Sequence, residues 1–147
     1  MTWLFDSHIH LSDPGYEKDI SLIIKSMEKL NPNIRLVKGA YKENDSVAFK
    51  NLIHVNNNYF KLSEYLLQLI KERNIRVAFA THDLKLQEQI KTKANEIGLD
   101  KSKLEFQMLY GIKTSEQIKL SEEGFKIRTL ISYGKQWYPW YMRRLAE

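Results

Sequence analysis

A chain of 147 residues is long enough for one domain with a sizeable core, and its apolar fraction of 43% is ordinary for a globular protein. It has no cysteine, which excludes disulfides and thiolate metal sites and leads us to expect a cytoplasmic protein. Its net charge of +5 is spread among acidic residues, which suits an anionic ligand and argues against nucleic acid as a partner.

In chain order, Thr2 to Phe5 is a short apolar run that reads as a strand. Asp6, His8 and His10 interrupt it, so it is no signal peptide, and no later run of about 18 apolar residues offers a membrane span. Tyr16, Ile20, Ile23, Ile24 and Met27 fall at helical spacing, and Asn31-Pro32 stops that helix. Ile34 to Val37 follows as a buried strand. Lys42 to Asn58 is polar and reads as irregular, with a short turn at Val47 to Phe49. Tyr59, Leu62, Leu66, Leu69 and Ile70 form a second helical stripe, closed near Asn74. Ile75 to Ala80 is a strong strand, and Asp83 is placed to cap the next helix, whose face is Leu86, Ile90, Ala94 and Ile97 and whose end is Gly98. Leu104 to Leu109 is the next strand. Thr114 with Gln117 reads as a capping box opening a helix that Gly124 stops. Ile127 to Ile131 is a fifth strand, and a last helix is predicted from about Tyr138, with Pro139 in its first turn.

Strand and helix therefore alternate five times, which predicts an α/β fold with a parallel sheet. Residues 1–147 read as a single domain, with 1–32 as a first strand–helix unit and 33–147 holding the others. A closed eight-stranded barrel typically takes about 250 residues. Five units make either a small open sheet or a partial (β/α)8 TIM barrel, completed by a second chain or a further segment. A homo-oligomer would also bury the open sheet edges.

The chemistry-bearing residues collect where strands end, which is where α/β sheets bind ligands. After Ile34 to Val37 come Lys38, Gly39 and Ala40: a cation and two small residues that let a ligand approach the backbone. Arg35 and Lys38 can meet an anion there; the plainer reading is a turn with a solvated lysine. Thr81-His82-Asp83 ends the next strand. Arg143 and Arg144, on the final helix, can fork a carboxylate from two directions. Neighbouring helical residues point about 100° apart, so one of the pair is equally suited to a structural ion pair, and both suit a solvated helix end.

Four segments taken in order, RLVKGAY at Arg35 to Tyr41, FATHD at Phe79 to Asp83, FQMLYG at Phe106 to Gly111 and YGKQWYPWYMRRLAE at Tyr133 to Glu147, resemble the C-terminal half of the proline dehydrogenase family, the monofunctional bacterial type. The resemblance spans about Ile34 to Glu147. It implies a flavoprotein on a (β/α)8 barrel that oxidises L-proline to pyrroline-5-carboxylate and passes electrons to a quinone, reached from a membrane surface. It implies FAD contacts from Arg35, Val37, Lys38, Gly39, Ala40, Thr81, His82 and Gln107. Arg35 would lie near the flavin ring, where either it or Lys38 would stabilise the reduced anion. Leu109 would pack near the reacting centre. Trp140 would offer an apolar face to the substrate, Arg143 and Arg144 would grip its carboxylate, and Glu147 would help hold the site closed. For His82 a capping or hydrogen-bonding role is the alternative.

The chain departs from that family in three ways. Trp140 stands where tyrosine is usual, and Leu130 and Ser132 stand where tyrosine and proline are usual, which bears on the substrate. The family's first half supplies a lysine and an aspartate to the substrate and a glutamine to the flavin. No segment before Pro32 reads as a source of the first two. Instead, Trp3 to Asp13 (WLFDSHIHLSD) resembles the first strand of TatD-type metal-dependent hydrolases, so 1–32 reads as a TatD-like unit. His8 and His10 would face one side of a strand, as a metal pair requires, with His82 and Asp83 as the available further ligands. Three readings follow: the flavoenzyme, a hydrolase using His8 and His10, and a non-catalytic partial-barrel fusion.

Overall fold

The structure, a computed structural model, describes residues 32–38, 49, 51–135, 137, 138 and 142. The strand expected at Thr2 to Phe5, the helix expected from Tyr16 and most of the final helix lie outside the described residues. Strands β1 (Asn33–Val37), β2 (Arg76–Ala80), β3 (Glu105–Leu109) and β4 (Lys126–Leu130) form one parallel sheet in the order β1-β2-β3-β4. Helices α1 (Leu52–Arg73), α2 (Leu84–Glu96) and α3 (Thr114–Glu122) link successive strands, and a short 3-10 turn at Lys101–Lys103 precedes β3. This is the predicted α/β fold, seen through four of its expected strands. In sequential order, crossovers of one hand carry every helix to the same face of the sheet.

The period-2 alternation of a strand then sorts the side chains. Ile34, Leu36, Val77, Phe79, Phe106 and Met108 point to the helices and join Leu66, Leu67, Ile70, Leu86 and Ile90 in the core. Phe106 packs between Phe79, at 6.2 Å between ring centroids, and Phe125, at 5.8 Å and edge-on. The opposite, inner face carries Arg35 and Val37 of β1, Ala78 and Ala80 of β2, Glu105 and Gln107 of β3, and Arg128 of β4, as the register requires. The two central strands are covered on both faces, whereas β1 and β4 alternate between covered and exposed residues.

Two expectations need correction. Lys42 to Asn58 is not irregular throughout: α1 begins at Leu52, capped by Asn51, whose side chain accepts from the Ile53 N–H. Asn56, Asn57 and Asn58 favour local side-chain hydrogen bonds over helix, which hid this stretch. Once the cap and the buried stripe from Tyr59 to Ile70 fix the rest, adding turns at the front costs little. The Thr114–Gln117 capping box does not form either. Lys113 is the N-cap, in a left-handed conformation with φ 50°, and makes no side-chain cap bond. Gln117 turns towards the sheet, donating to the Leu109 and Ile112 carbonyls and accepting from the Thr129 hydroxyl. The remaining stops behave as read: Asn74 closes α1 at φ 55°, and Gly98 and Gly124 take positive φ after α2 and α3.

Candidate functional site

At the carboxyl end of the sheet each strand hands over to a loop, and those loops are tied to one another. Lys38, just past β1, bonds through its backbone N–H to the Ala80 carbonyl at 3.1 Å and through Nζ to Asp83 Oδ2 at 2.6 Å. Asp83 also caps α2, accepting from the Lys85 and Leu86 N–H groups. Burial pulls its carboxyl upward, but the Lys38 contact and these N–H bonds outweigh that and hold it below the usual range. Thr81 is buried. Its hydroxyl accepts from the Asp83 N–H, and its carbonyl accepts from Gln87.

His82 bridges to β3: its Nε2 accepts the Leu109 N–H at 2.9 Å. That bond puts the ring proton on Nδ1. Burial first, and then the Lys113 charge, lower the affinity of His82 for a second proton. Lys113 itself donates from Nζ to the His82 carbonyl at 2.8 Å. At the carboxyl ends of β3 and β4, Tyr110, Gly111, Leu130, Ile131, Ser132, Tyr133 and Trp137 line an open cleft of about 530 Å³.

Below this rim the inner face holds a connected polar network. Arg35 Nε donates to Gln107 Oε1 at 2.6 Å, and Gln107 Nε2 donates to Glu105 Oε1 at 2.7 Å. Glu105, 4% exposed, receives both Nε and Nη2 of Arg76, at 2.9 and 2.7 Å, with Arg128 Nε at 3.2 Å. Burial acts to raise the Glu105 carboxyl, and the bonds from Arg76 and Gln107 overcome it and lower it. Arg35 can reach Gln107 only across β2. The β2 residues in register with the two are Ala78 and Ala80, small enough to let the bridge pass.

Val37, Lys38, Thr81, His82 and Leu109 thus lie at the carboxyl ends of three adjacent strands, with Arg35 and Gln107 below them at mid-strand on the inner face. His82 does fill the hydrogen-bonding role that was its alternative reading. Gly39, Ala40, Trp140, Arg143, Arg144, Glu147 and the pair His8 and His10 lie outside the described residues. Sequence reading missed Glu105 and the Lys38–Asp83 pair. The signal for Glu105 was present, since Glu105 and Gln107 sit two apart in an otherwise apolar strand. Among the described residues no three metal-binding side chains gather, and no helix is long and apolar enough to cross a membrane.

These features define a parallel α/β protein with a polar, cation-bearing inner face and a loop-built rim at the carboxyl ends of its strands. The model of the family Proline dehydrogenase matches residues 18–147. The chain is 44% identical over 131 residues to Proline dehydrogenase 2 of Bacillus subtilis subsp. natto, covering 89% of this chain and 40% of that protein. It is 40% identical over 122 residues to Proline dehydrogenase of Deinococcus radiodurans, covering 83% and 38%. Its fold matches proline utilization A from Bdellovibrio bacteriovorus, a crystal structure inactivated by N-propargylglycine, with a TM-score of 0.76 and 29% identity over 90% of this chain and 15% of that one. This chain belongs to the proline dehydrogenase family. It spans about 40% of the length of these two relatives. The histidine-bearing stretch Trp3 to Asp13 falls before the matched segment, and nothing in the match supports a TatD-type start.

Proposed function

We propose that this chain provides the C-terminal half of a proline-oxidising flavoprotein site, with FAD held along the carboxyl ends of β1 to β3. The observation that carries the reading is the placement of Lys38, His82 and Leu109 at the carboxyl ends of adjacent parallel strands, with the bonded pair Arg35 and Gln107 on the inner face just below. The donor set fits a flavin. Arg35 presents a guanidinium fixed at its Nε, and His82 keeps an Nδ1–H donor at the rim. Of the two candidate cations, Arg35 is the better partner for a reduced ring, because Asp83 already meets the charge of Lys38. Held by these residues, FAD would supply the hydride acceptor for substrate oxidation. The chain's own groups hold and orient. Val37, Lys38, Gly39, Ala40, Thr81 and Gln107 line the cofactor, Leu109 and Trp140 shape an apolar wall, Arg143 and Arg144 grip the L-proline carboxylate, and Glu147 keeps the site closed.

Four parallel strands in sequence order support half of a (β/α)8 barrel wall. Further strands, from a second chain, a second copy or additional sequence, complete it and bring the substrate-binding groups of the family's first half. Electrons then pass to a quinone acceptor at a membrane surface, from a protein working in the cytoplasm. An absorbance titration of the purified chain with FAD is the direct test, and a flavin band that saturates is the expected result. Protein that stays colourless and takes up no FAD overturns the proposal. Proline-dependent reduction of a dye acceptor, after supply of the N-terminal half, tests the reaction itself.

A further inference from the structure

We propose that Glu105 is a positioning residue that aims Arg35 through Gln107, and this rests on the flavin-site reading of Arg35. An ionised carboxylate only accepts hydrogen bonds, and a guanidinium only donates them. Gln107 stands between the two. Its Nε2 faces Glu105 Oε1 at 2.7 Å and its Oε1 faces Arg35 Nε at 2.6 Å. Only one of the two amide orientations satisfies both ends; turned over, the amide would set oxygen against carboxylate and N–H against guanidinium. The amide is therefore fixed by its neighbours, and Glu105 fixes it from the side away from Arg35.

Glu105 is in turn held still. Its side chain is 5% exposed, and Arg76 clamps both of its oxygens while Arg128 adds a third cationic contact. The carboxyl stays ionised because those cations and the Gln107 amide lower its proton affinity despite burial. The consequence is a rigid line across the sheet, from Arg76 and Arg128 to Glu105, Gln107 and Arg35. It draws on all four strands and crosses β2 over Ala78 and Ala80. An arginine on an exposed strand otherwise has many rotamers; this line selects one before any ligand arrives, so less ordering is left for binding to oppose.

The test measures hydrogen exchange of the Arg35 Nε–H by NMR in the FAD-free chain, alongside the FAD dissociation constant by titration. Glu105→Gln should speed Arg35 Nε–H exchange roughly tenfold, as expected for loss of a charge-assisted bond, and weaken FAD binding by a similar factor. The swapped double variant Glu105→Gln/Gln107→Glu should restore slow exchange. There the carboxylate at position 107 accepts from Arg35, the amide at 105 donates to it, and the amide oxygen accepts from Arg76. Lys91→Gln, which breaks the ion pairs to Glu88 and Glu123 away from this line, serves as the structural control: it should lower the melting temperature while leaving Arg35 protected. Exchange unchanged by Glu105→Gln, or equally fast in Lys91→Gln, or not restored by the swap, overturns the proposal. If Glu105→Gln does not fold, Glu105→Asp, which draws the carboxylate back from Gln107, decides by the same readout: faster Arg35 exchange supports the proposal and unchanged exchange overturns it. Wild-type protein that binds no FAD overturns the flavin reading, and the exchange data then show separately whether Glu105 governs Arg35.

Discussion

The two faces of the sheet are built from the same strands and follow opposite rules. Towards the helices, β1 to β3 present apolar side chains, with Thr129 of β4 bonded to Gln117 as the polar exception, and stability comes from packed area and filled volume. On the inner face, alternate residues of those strands include arginine, glutamate, glutamine and alanine, and there order comes from directed hydrogen bonds. The difference shows how a parallel sheet separates its tasks. One face needs only shape and apolarity, so it tolerates exchange of similar residues. The other needs each donor matched to an acceptor, so single changes propagate along the network.

The sharpest way to break the apolar face is Phe106→Ala. Phe106 is fully buried between two other aromatic rings, and the cavity should cost about 3–5 kcal/mol, read as a lowered denaturation midpoint. The matching break on the polar face is Glu105→Ala. It leaves the Gln107 amide and two guanidinium groups without their acceptor. Arg76 and Arg128 are solvent-accessible and recover water, so a loss of about 1–3 kcal/mol is expected, smaller than for Phe106.

At the rim, Asp83→Ala removes the α2 cap and the Lys38 partner together. A loss of about 0.5–2 kcal/mol is expected from the cap, and Asp83→Asn, which can still cap, should recover most of it. A further comparison separates the faces by acid. Asp83, Glu105 and His82 all hold protons less tightly in the folded chain than their ordinary values. The unfolded chain therefore binds more protons on acidification, and stability falls as pH drops. The His82 contribution is complete above its ordinary value of 6.5 and declines below it; the carboxylate contributions follow in more acid solution. His82→Asn should flatten the first part of that decline in a series of denaturant midpoints against pH. Phe106→Ala, which touches no titrating group, should shift the whole curve without changing its shape.

Much of this was legible before any coordinates. The apolar stripes of α1 and α2, the Asp83 cap, the Asn74, Gly98 and Gly124 stops and the four described strands follow from periodicity and local backbone chemistry. These signals act within a few residues, so the sequence displays them directly. The front of α1 was not legible, because its asparagines prefer turns and are helical only as an extension of a packed helix. The role of Gln117 was misread, because its partners Leu109 and Thr129 belong to strands on either side of its helix.

The amino-acid sequence by itself determined that strands and helices alternate, which residues form the core, and that cations and small residues gather at strand ends. Only the tertiary structure decided which cation meets which acceptor. Lys38 is paired with Asp83, 45 positions later, and Arg35 reaches Gln107, 72 positions later. Burial follows from the character of each residue taken alone, whereas a hydrogen bond requires two groups at one distance and angle. Strand register sets that meeting, and no local pattern encodes it.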